Sequence, residues 1–434
     1  MPVSRRGFFG AIGSGREAGL AAMIAARGHE EFMIQDLAAQ AAGQAGQAGQ
    51  AAGQAGGRQG GGGRGGGRGG AGGAGGARPA PPPGIDEIKI SSNENPLGPG
   101  KHVLDAIVGK FPEASRYPFN STPNETKLAE VFATVNKAKP ENITIGAGSQ
   151  EILKSAMRAF TSPYRHLVTA LPTFENCTGI ARRMNTPYYE VKVDSQFRLD
   201  LEGMLTVARG AGLIFVNNPN NPTATVHGTK VIADFVERVR RISPDTVILI
   251  DEAYHDYVTD PEYATAIPLA LTTPNVFVAR TFSKAYGMAG MRIGYAIGMP
   301  DTIKPMARVK MPYNVSVFGI AAAIAAVNNP QHLASERARN TEVRNFVVKE
   351  LEALGCKAAK SEGNFIFVDI GRSAAEFRTA CSNQWVGVGR DFPPYEHSHS
   401  RISLGTMAEM RRAVDVFKEV LRPASASSGG GARG

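Results

Sequence analysis

The chain has 434 residues, 51 of them Gly and 27 Pro; it is 42% hydrophobic and 20% charged, with a formal net charge of +9. At roughly 100 to 200 residues per domain this is one large enzyme-sized unit or two to three modules, and a fibrous or wholly disordered chain is excluded. The charge sits at the ends: residues 1–84 hold eight Arg against four acids and the tail adds Arg422 and Arg433, so the body keeps +3, too little for a strong field toward nucleic acid or anionic membrane.

The N-terminus reads Ser4-Arg5-Arg6-Gly7-Phe8-Phe9 ahead of a modestly apolar run through Leu20 to Ile24. It resembles a twin-arginine export signal, which implies a periplasmic protein. Arg16 and Glu17 interrupt the run and the small-x-small site Ala39-Gln40-Ala41 comes late, so a degenerate leader on a cytoplasmic protein is the alternative. Between Gly43 and Gly84 lie 20 of the glycines, in AGQ repeats and then GGGGRGGGRGG. Such a composition cannot bury enough apolar surface to offset chain entropy and reads as a disordered linker. Arg64 and Arg68 resemble an RGG box, but the repeats are too few and lack interleaved aromatics, so no nucleic-acid partner is expected. No other segment approaches 18 uncharged apolar residues, and no stable membrane span is expected.

From Ile85 to Leu421 short apolar runs alternate with amphipathic stretches. Strands are predicted at Ile143–Ile145, His166–Ala170, Tyr188–Val193, Leu213–Val216, Val247–Ile250, Val276–Ala279 and Ile293–Ile297, with helices at Gln150–Phe160, Thr229–Arg241 and Asp301–Arg308. This alternation argues for an α/β fold with a mainly parallel sheet covered by helices on both faces. From Val315 the pattern changes to the Ala-rich helix Ile320–Val327 and the charged helix Gln331–Leu354. A strand at Asn364–Ile370, a helix at Ala374–Ser382, a strand at Arg401–Leu404 and a helix at Ala408–Leu421 complete a smaller α+β domain. The boundaries that follow are 1–84 for leader and linker, 85–117 for an N-terminal arm, 118–314 for the large domain, 315–422 for the small one and 423–434 for a disordered tail. A ligand cleft is expected between the two domains. Cys177, Cys356 and Cys381 form no CxxC and read as buried thiols, and His397 and His399 lack a third ligand, so no metal site is expected.

Three polar clusters follow successive predicted strands, where open α/β sheets bind ligands: Asn217 to Thr223, Asp251 to Tyr254, and Arg280 to Lys284. Lys284 ends an apolar strand, follows Thr281 and Ser283, and precedes Tyr286, Gly287 and Arg292. In a dry, partly cationic pocket an amine is disfavoured as an ammonium and becomes a nucleophile, while Thr281, Ser283 and Arg292 offer donors for a phosphate.

The string RTFSKAYGMAGMRIG from Arg280 to Gly294 resembles the lysine signature of fold type I pyridoxal-phosphate aminotransferases of class I/II, in the histidinol-phosphate aminotransferase branch. Nine further motifs fall in the family's order: NENPLGP from Asn93, RYP from Arg116, GAGSQE from Gly146, PTF from Pro172, Asn217 to Thr223, DEAY from Asp251, PYNVS from Pro312, EGNF from Glu362 and RISLG from Arg401. The resemblance implies that Lys284 holds the cofactor aldehyde and carries the transferred proton, and that Asp251 keeps the pyridine nitrogen protonated. Tyr254 and Asn221 bond the ring 3′ oxygen, Phe174 stacks on the ring, and Gly148, Ser149, Gln150, Thr281, Ser283 and Arg292 hold the phosphate at a helix N-terminus. Tyr117 reaches the phosphate from a neighbouring subunit, so a homodimer is implied. Arg401 forks onto the substrate α-carboxylate, Arg390 serves an acidic substrate tail, and Asn95 joins the substrate contacts.

The pattern is broken at Ala224, which stands for a glycine and must avoid positive φ or accept strain, and at Cys177 and Phe119, which replace an aromatic and an acidic residue. The expected activity is pyridoxal-phosphate-dependent transamination between a histidinol-phosphate-like amino donor and a 2-oxo acid such as 2-oxoglutarate. An aminotransferase for aromatic or other amino acids, or a decarboxylase of this fold, is the alternative; a tethered inert scaffold or an RNA-binding protein is the non-enzyme one.

Overall fold

The computed structural model describes residues 81–84 and 86–422. The twin-arginine pair, nearly all of the Gly-rich linker with Arg64 and Arg68, and the tail beyond Arg422 lie outside the described residues. The described chain forms strands β1 (Ile88–Ile90), β2 (Ile143–Gly146), β3 (Leu167–Leu171), β4 (Tyr188–Lys192), β5 (Leu213–Asn217), β6 (Val247–Asp251), β7 (Val276–Thr281), β8 (Gly294–Gly298), β9 (Lys357–Ala358), β10 (Phe365–Asp369), β11 (Val386–Val388) and β12 (His399–Ser403). Seven of them pair in the order β2-β8-β7-β6-β5-β3-β4. Neighbours from β4 to β7 run parallel, and β8 runs antiparallel to both β7 and β2, so the sheet is mainly parallel as the alternating pattern predicts.

Side-chain alternation along the strands divides the apolar residues between two faces. Leu213, Phe215, Val247, Leu249, Phe277 and Ala279 join one core with the helices Ser149–Phe160, Asn176–Arg183 and Pro300–Ala307. Ile214, Val216, Ile248, Ile250, Val276 and Val278 join the other with Glu125–Val135 and Thr229–Ile242. Strands β5, β6 and β8 are buried along their whole length, which explains their unbroken apolar sequence. Edge strand β4 instead exposes Tyr189, Glu190 and Lys192, and charge at an edge discourages pairing with another chain.

The smaller layer has the sheet order β12-β10-β9, antiparallel throughout, beside the parallel pair β1-β11. Its core gathers Ile88, Ile90, Val343, Val347, Ile366, Val386, Ile402 and Phe417. Two expectations are corrected here. The segment read as an N-terminal arm begins as a strand of the smaller core, because Ile88 and Ile90 pair with Val386 and Val388. The Ala-rich helix, Val317–Val327, packs Ile320, Ala322, Ala323 and Ala326 into the large sheet's core instead of opening the smaller domain. Small side chains all around a helix let it be buried on most of its circumference, so its pattern carries no information about which core receives it.

The helix ends are set locally. Asn124, Ser316, Asn329, Ser373 and Thr406 each accept a backbone N–H at a helix start, and Thr406 with Glu409 closes a reciprocal capping box. Among the described residues no helix is long and apolar enough to cross a membrane. Cys177, Cys356 and Cys381 are free and buried.

Candidate active site

The carboxyl ends of β5, β6 and β7 lie side by side, with Asn217 paired to Asp251 and Asp251 to Ala279. They open onto a cavity of about 610 Å³ that also takes residues from the smaller layer. Of the residues predicted from sequence, Ser149, Gln150, Phe174, Asn221, Asp251, Tyr254, Thr281, Ser283, Lys284, Arg292, Arg390 and Arg401 all line it.

Lys284 is partly buried, donates from Nζ to Ser92 O at 3.2 Å, and lies 5.6 Å from the Tyr254 ring centroid. Asp251 is 2% exposed and accepts the Ala253 N–H at 3.2 Å. Burial pushes its carboxyl up to about 7, with Glu252 adding to the shift and Lys284 opposing it. Glu252 itself pairs with Arg280 at 2.7 Å and so ties β6 to β7; Arg280 does not line the cavity.

An anion cup forms where β2 passes into the helix Ser149–Phe160. That helix starts at Gly148 (φ 75°) with no side-chain cap, which leaves its first N–H groups available to a ligand. A Cβ on Gly148 would lie 2.4 Å from the Arg292 guanidinium, and one on Gly294 would lie 2.5 Å from Ser149 N. Glycine at both places lets Arg292 and β8 close on the cup. Arg292 has φ 56°, the left-handed region, and is held by Ala289 O at 2.7 Å; its Nη1 reaches Ser283 Oγ at 3.4 Å. Thr281 Oγ1 donates to Ser283 Oγ at 3.0 Å.

Arg401 is 7% exposed and donates to Asn221 Oδ1 at 2.8 Å, while its buried Nε has no partner. Desolvation lowers it to about 10, the Tyr254 phenol raises it and Arg390 lowers it further, so it stays cationic at neutral pH. A buried guanidinium with an unused donor on a cavity wall is arranged for an anionic ligand.

The structure changes one sequence reading, decides a second between its two alternatives, and locates a third residue on the surface. Asn95 is not a cavity residue: its Nδ2 donates to Ala285 O at 3.0 Å and its Oδ1 accepts Leu97 N at 2.9 Å, so it pins the N-terminal segment next to Lys284. Ala224 takes the strained alternative, with φ 59°. That conformation costs about 1 kcal/mol for a residue with a Cβ, offset here by packing its methyl among Tyr254, Tyr257 and Phe365. Tyr117 is 65% exposed, stacks on Phe119 and packs at a tilt against Tyr313, outside the cavity.

Sequence reasoning missed Asn220 and Arg378. Asn220, fully buried, accepts Thr173 Oγ1 at 2.7 Å and donates to Pro172 O at 3.1 Å, joining the Phe174 segment to the Asn221 turn. Its membership of the Asn217 to Thr223 cluster was the available signal. Arg378 lines the cavity from the helix Ala374–Asn383, where one arginine on a mixed surface gives no signal.

A lysine amine, a buried carboxylate, an anion cup and a buried arginine on the carboxyl edge of an open α/β sheet define a lysine-centred enzyme. Residues 85–417 match the family described as aminotransferase class I and II, and the chain belongs to that family. It is 34% identical over 339 residues to the histidinol-phosphate aminotransferase of Moorella thermoacetica, covering 77% of this chain and 86% of that one. It is 32% identical over 337 residues to that of Symbiobacterium thermophilum, covering 77% and 91%. Among solved structures, histidinol-phosphate aminotransferase from Sinorhizobium meliloti in complex with pyridoxal-5'-phosphate superposes with a TM-score of 0.71 at 27% identity, covering 78% of this chain and 91% of that one. The aspartate aminotransferase of Thermus thermophilus with maleate shares the fold, with a TM-score of 0.69 at 21% identity and coverage of 78% and 92%.

The chain is thus a fold type I aminotransferase, an enzyme of pyridoxal-phosphate-dependent transamination. Its residues fit that cofactor: one amine, one buried carboxylate suited to a protonated ring nitrogen, and a cup of hydroxyls, free N–H groups and a guanidinium suited to a phosphate.

Proposed function

We propose that the chain moves the amino group of a histidinol-phosphate-like donor to a 2-oxo acid such as 2-oxoglutarate. The observation that carries this reading is the convergence of Lys284, Asp251, Arg401 and a second arginine, Arg390, on one cavity. Bound pyridoxal phosphate supplies an aldehyde for the amino group and a protonated ring that accepts electrons. Asp251 keeps the proton on the ring nitrogen, and a cation beside it returns its carboxyl to the ionised form. Lys284 Nζ would hold the cofactor through its aldehyde and, when free, would be the group that carries the transferred proton. Tyr254 Oη and Asn221 would hold the ring 3′ oxygen, and Phe174 would cover the ring face. Gly148, Ser149, Gln150, Thr281, Ser283 and Arg292 hold the phosphate. Arg401 orients the α-carboxylate of the 2-oxo acid, and Arg390 takes the phosphate of the donor or the distal carboxylate of the acceptor.

A half-reaction screen tests the substrate: the visible absorbance of the cofactor-loaded protein is followed with single amino donors. Histidinol phosphate is expected to discharge it fastest, and 2-oxoglutarate to restore it. Faster discharge by a neutral aromatic amino acid would overturn the donor in favour of an aromatic aminotransferase, and no discharge by any donor would refute the transaminase reading of the site.

We further propose a homodimer in which Tyr117 reaches the phosphate of the partner subunit, and export of the folded enzyme by the twin-arginine leader. Support for the first is the exposed aromatic group Tyr117, Phe119 and Tyr313 at the surface of one subunit. Support for the second is the Arg5-Arg6 pair ahead of an apolar run. Cell fractionation followed by sizing of the recovered protein checks both. A monomer removes the first reading, and recovery in the cytoplasm alone with an intact N-terminus removes the second.

A further inference from the structure

Arg390, on the cavity wall, is held in an ion pair that transamination itself does not require. Glu175 follows Phe174 and starts the helix Asn176–Arg183; its carboxylate accepts both arms of Arg390, Nη1 to Oε1 at 3.2 Å and Nη2 to Oε2 at 2.9 Å. Both side chains are half exposed. Arg390 is also held without Glu175: Nη1 donates to Asp391 O at 2.9 Å, and the guanidinium carbon lies 4.2 Å from the Phe392 ring centroid. Arg401 lies 4.8 Å from the same centroid, so the two guanidiniums share one ring. The nearby carboxylate of Asp391 is occupied by Arg378.

Arg390 is therefore pre-placed for an anion beside Arg401, and the chain has supplied one of its own. We propose that Glu175 is a specificity-determining residue: its carboxylate is a built-in occupant of Arg390 that an acidic tail on donor or acceptor must displace. This rests on the reading of Arg401 as the site for one anionic end of the substrate. A carboxylate tail exchanges one carboxylate for another and gains little. A phosphate tail carries more charge and three acceptor oxygens, so it displaces Glu175 at an advantage, and a neutral tail has nothing to displace. The site thus favours phosphorylated tails over carboxylate tails, by a means that needs no contact between Glu175 and the substrate.

The test compares the wild-type holoenzyme with Glu175→Gln, Glu175→Ala and Arg390→Gln, using glutarate and butyrate as unreactive probes with two and one carboxylates. Dissociation constants come from the change in cofactor absorbance on binding. Both Glu175 variants are expected to raise the preference for glutarate over butyrate by roughly fivefold, the size of effect a half-exposed ion pair carries. In steady state the KM for glutamate relative to leucine falls by a similar factor, with the kcat ratio unchanged. Arg390→Gln is expected to erase the glutarate preference. An unchanged preference in both Glu175 variants, or a preference that survives Arg390→Gln, overturns the proposal. If no donor discharges the cofactor, the aminotransferase reading of the site fails while the probe comparison still decides the role of Glu175.

Discussion

Lys284→Ala is expected to leave a protein that folds and binds pyridoxal phosphate weakly, shows none of the visible absorbance of a lysine-held cofactor, and has lost at least about a thousandfold in transamination. The size follows from two lost tasks at one atom. Lys284 Nζ is the primary amine lining the cavity that also contains Asp251, Ser283 and Arg292, so its removal leaves the aldehyde without a covalent partner. It is also the group placed to carry a proton, and positioned acid-base groups account for about a hundredfold to ten-thousandfold in rate. The side chain has a single hydrogen bond to main chain, Ser92 O, so its loss costs little in packing, and a thermal melt close to wild type separates chemistry from folding. A visible band that persists in the variant would mean that another lysine holds the cofactor.

Asp251→Asn is expected to split stability from activity. In the cofactor-free protein burial holds the Asp251 carboxyl at about 7, far above the ordinary carboxylate value of about 3.9. Between roughly pH 4 and 7 the folded chain therefore keeps a proton that the unfolded chain releases, and stability falls as pH rises through that window. Asparagine has nothing to release, so the cofactor-free variant melts several degrees higher than wild type at pH 8 and shows a flatter pH dependence. With the cofactor added the order reverses. The wild-type carboxylate gains a buried cationic partner, whereas the variant does not, and loss of one partner of such a pair costs about 3 kcal/mol, a hundredfold or more in affinity or rate. Melting curves of both proteins at pH 5 and pH 8, with and without pyridoxal phosphate, check the prediction. A variant with wild-type absorbance and turnover would reduce Asp251 to a turn residue.

How much of this was legible before folding depends on the range of the physics involved. The large sheet could be read because β5, β6 and β7 are buried on both faces, and such strands need unbroken apolar runs. Most of the cavity could be read for a related reason: parallel strands put their carboxyl ends on one edge, so polar residues directly after each run share that edge. Strand β1 could not be read. Ile88-Lys89-Ile90 is three residues long and its partner Val386–Val388 lies almost 300 positions later, too short and too distant for any local pattern. The Ala-rich helix Val317–Val327 shows the same limit, since its composition announces burial without naming the core that buries it.

Asn95 and Glu175 mark the boundary inside the site. Asn95 sits in a motif that points to the active site, yet its amide is spent on Leu97 N and Ala285 O. Glu175 sits beside a stacking phenylalanine with no motif of its own, yet it meets Arg390 across 215 positions. By itself the sequence determined the class of fold, the identity of the lysine, aspartate and arginines available for chemistry, and the composition of the ends. Only the tertiary structure decided which of those arginines meets a carboxylate of the chain, as Arg390 does, and which meets neutral acceptors alone, as Arg401 does. Periodicity and motif spacing record burial and local turns, whereas an ion pair depends on two side chains that the fold alone brings to within 3 Å.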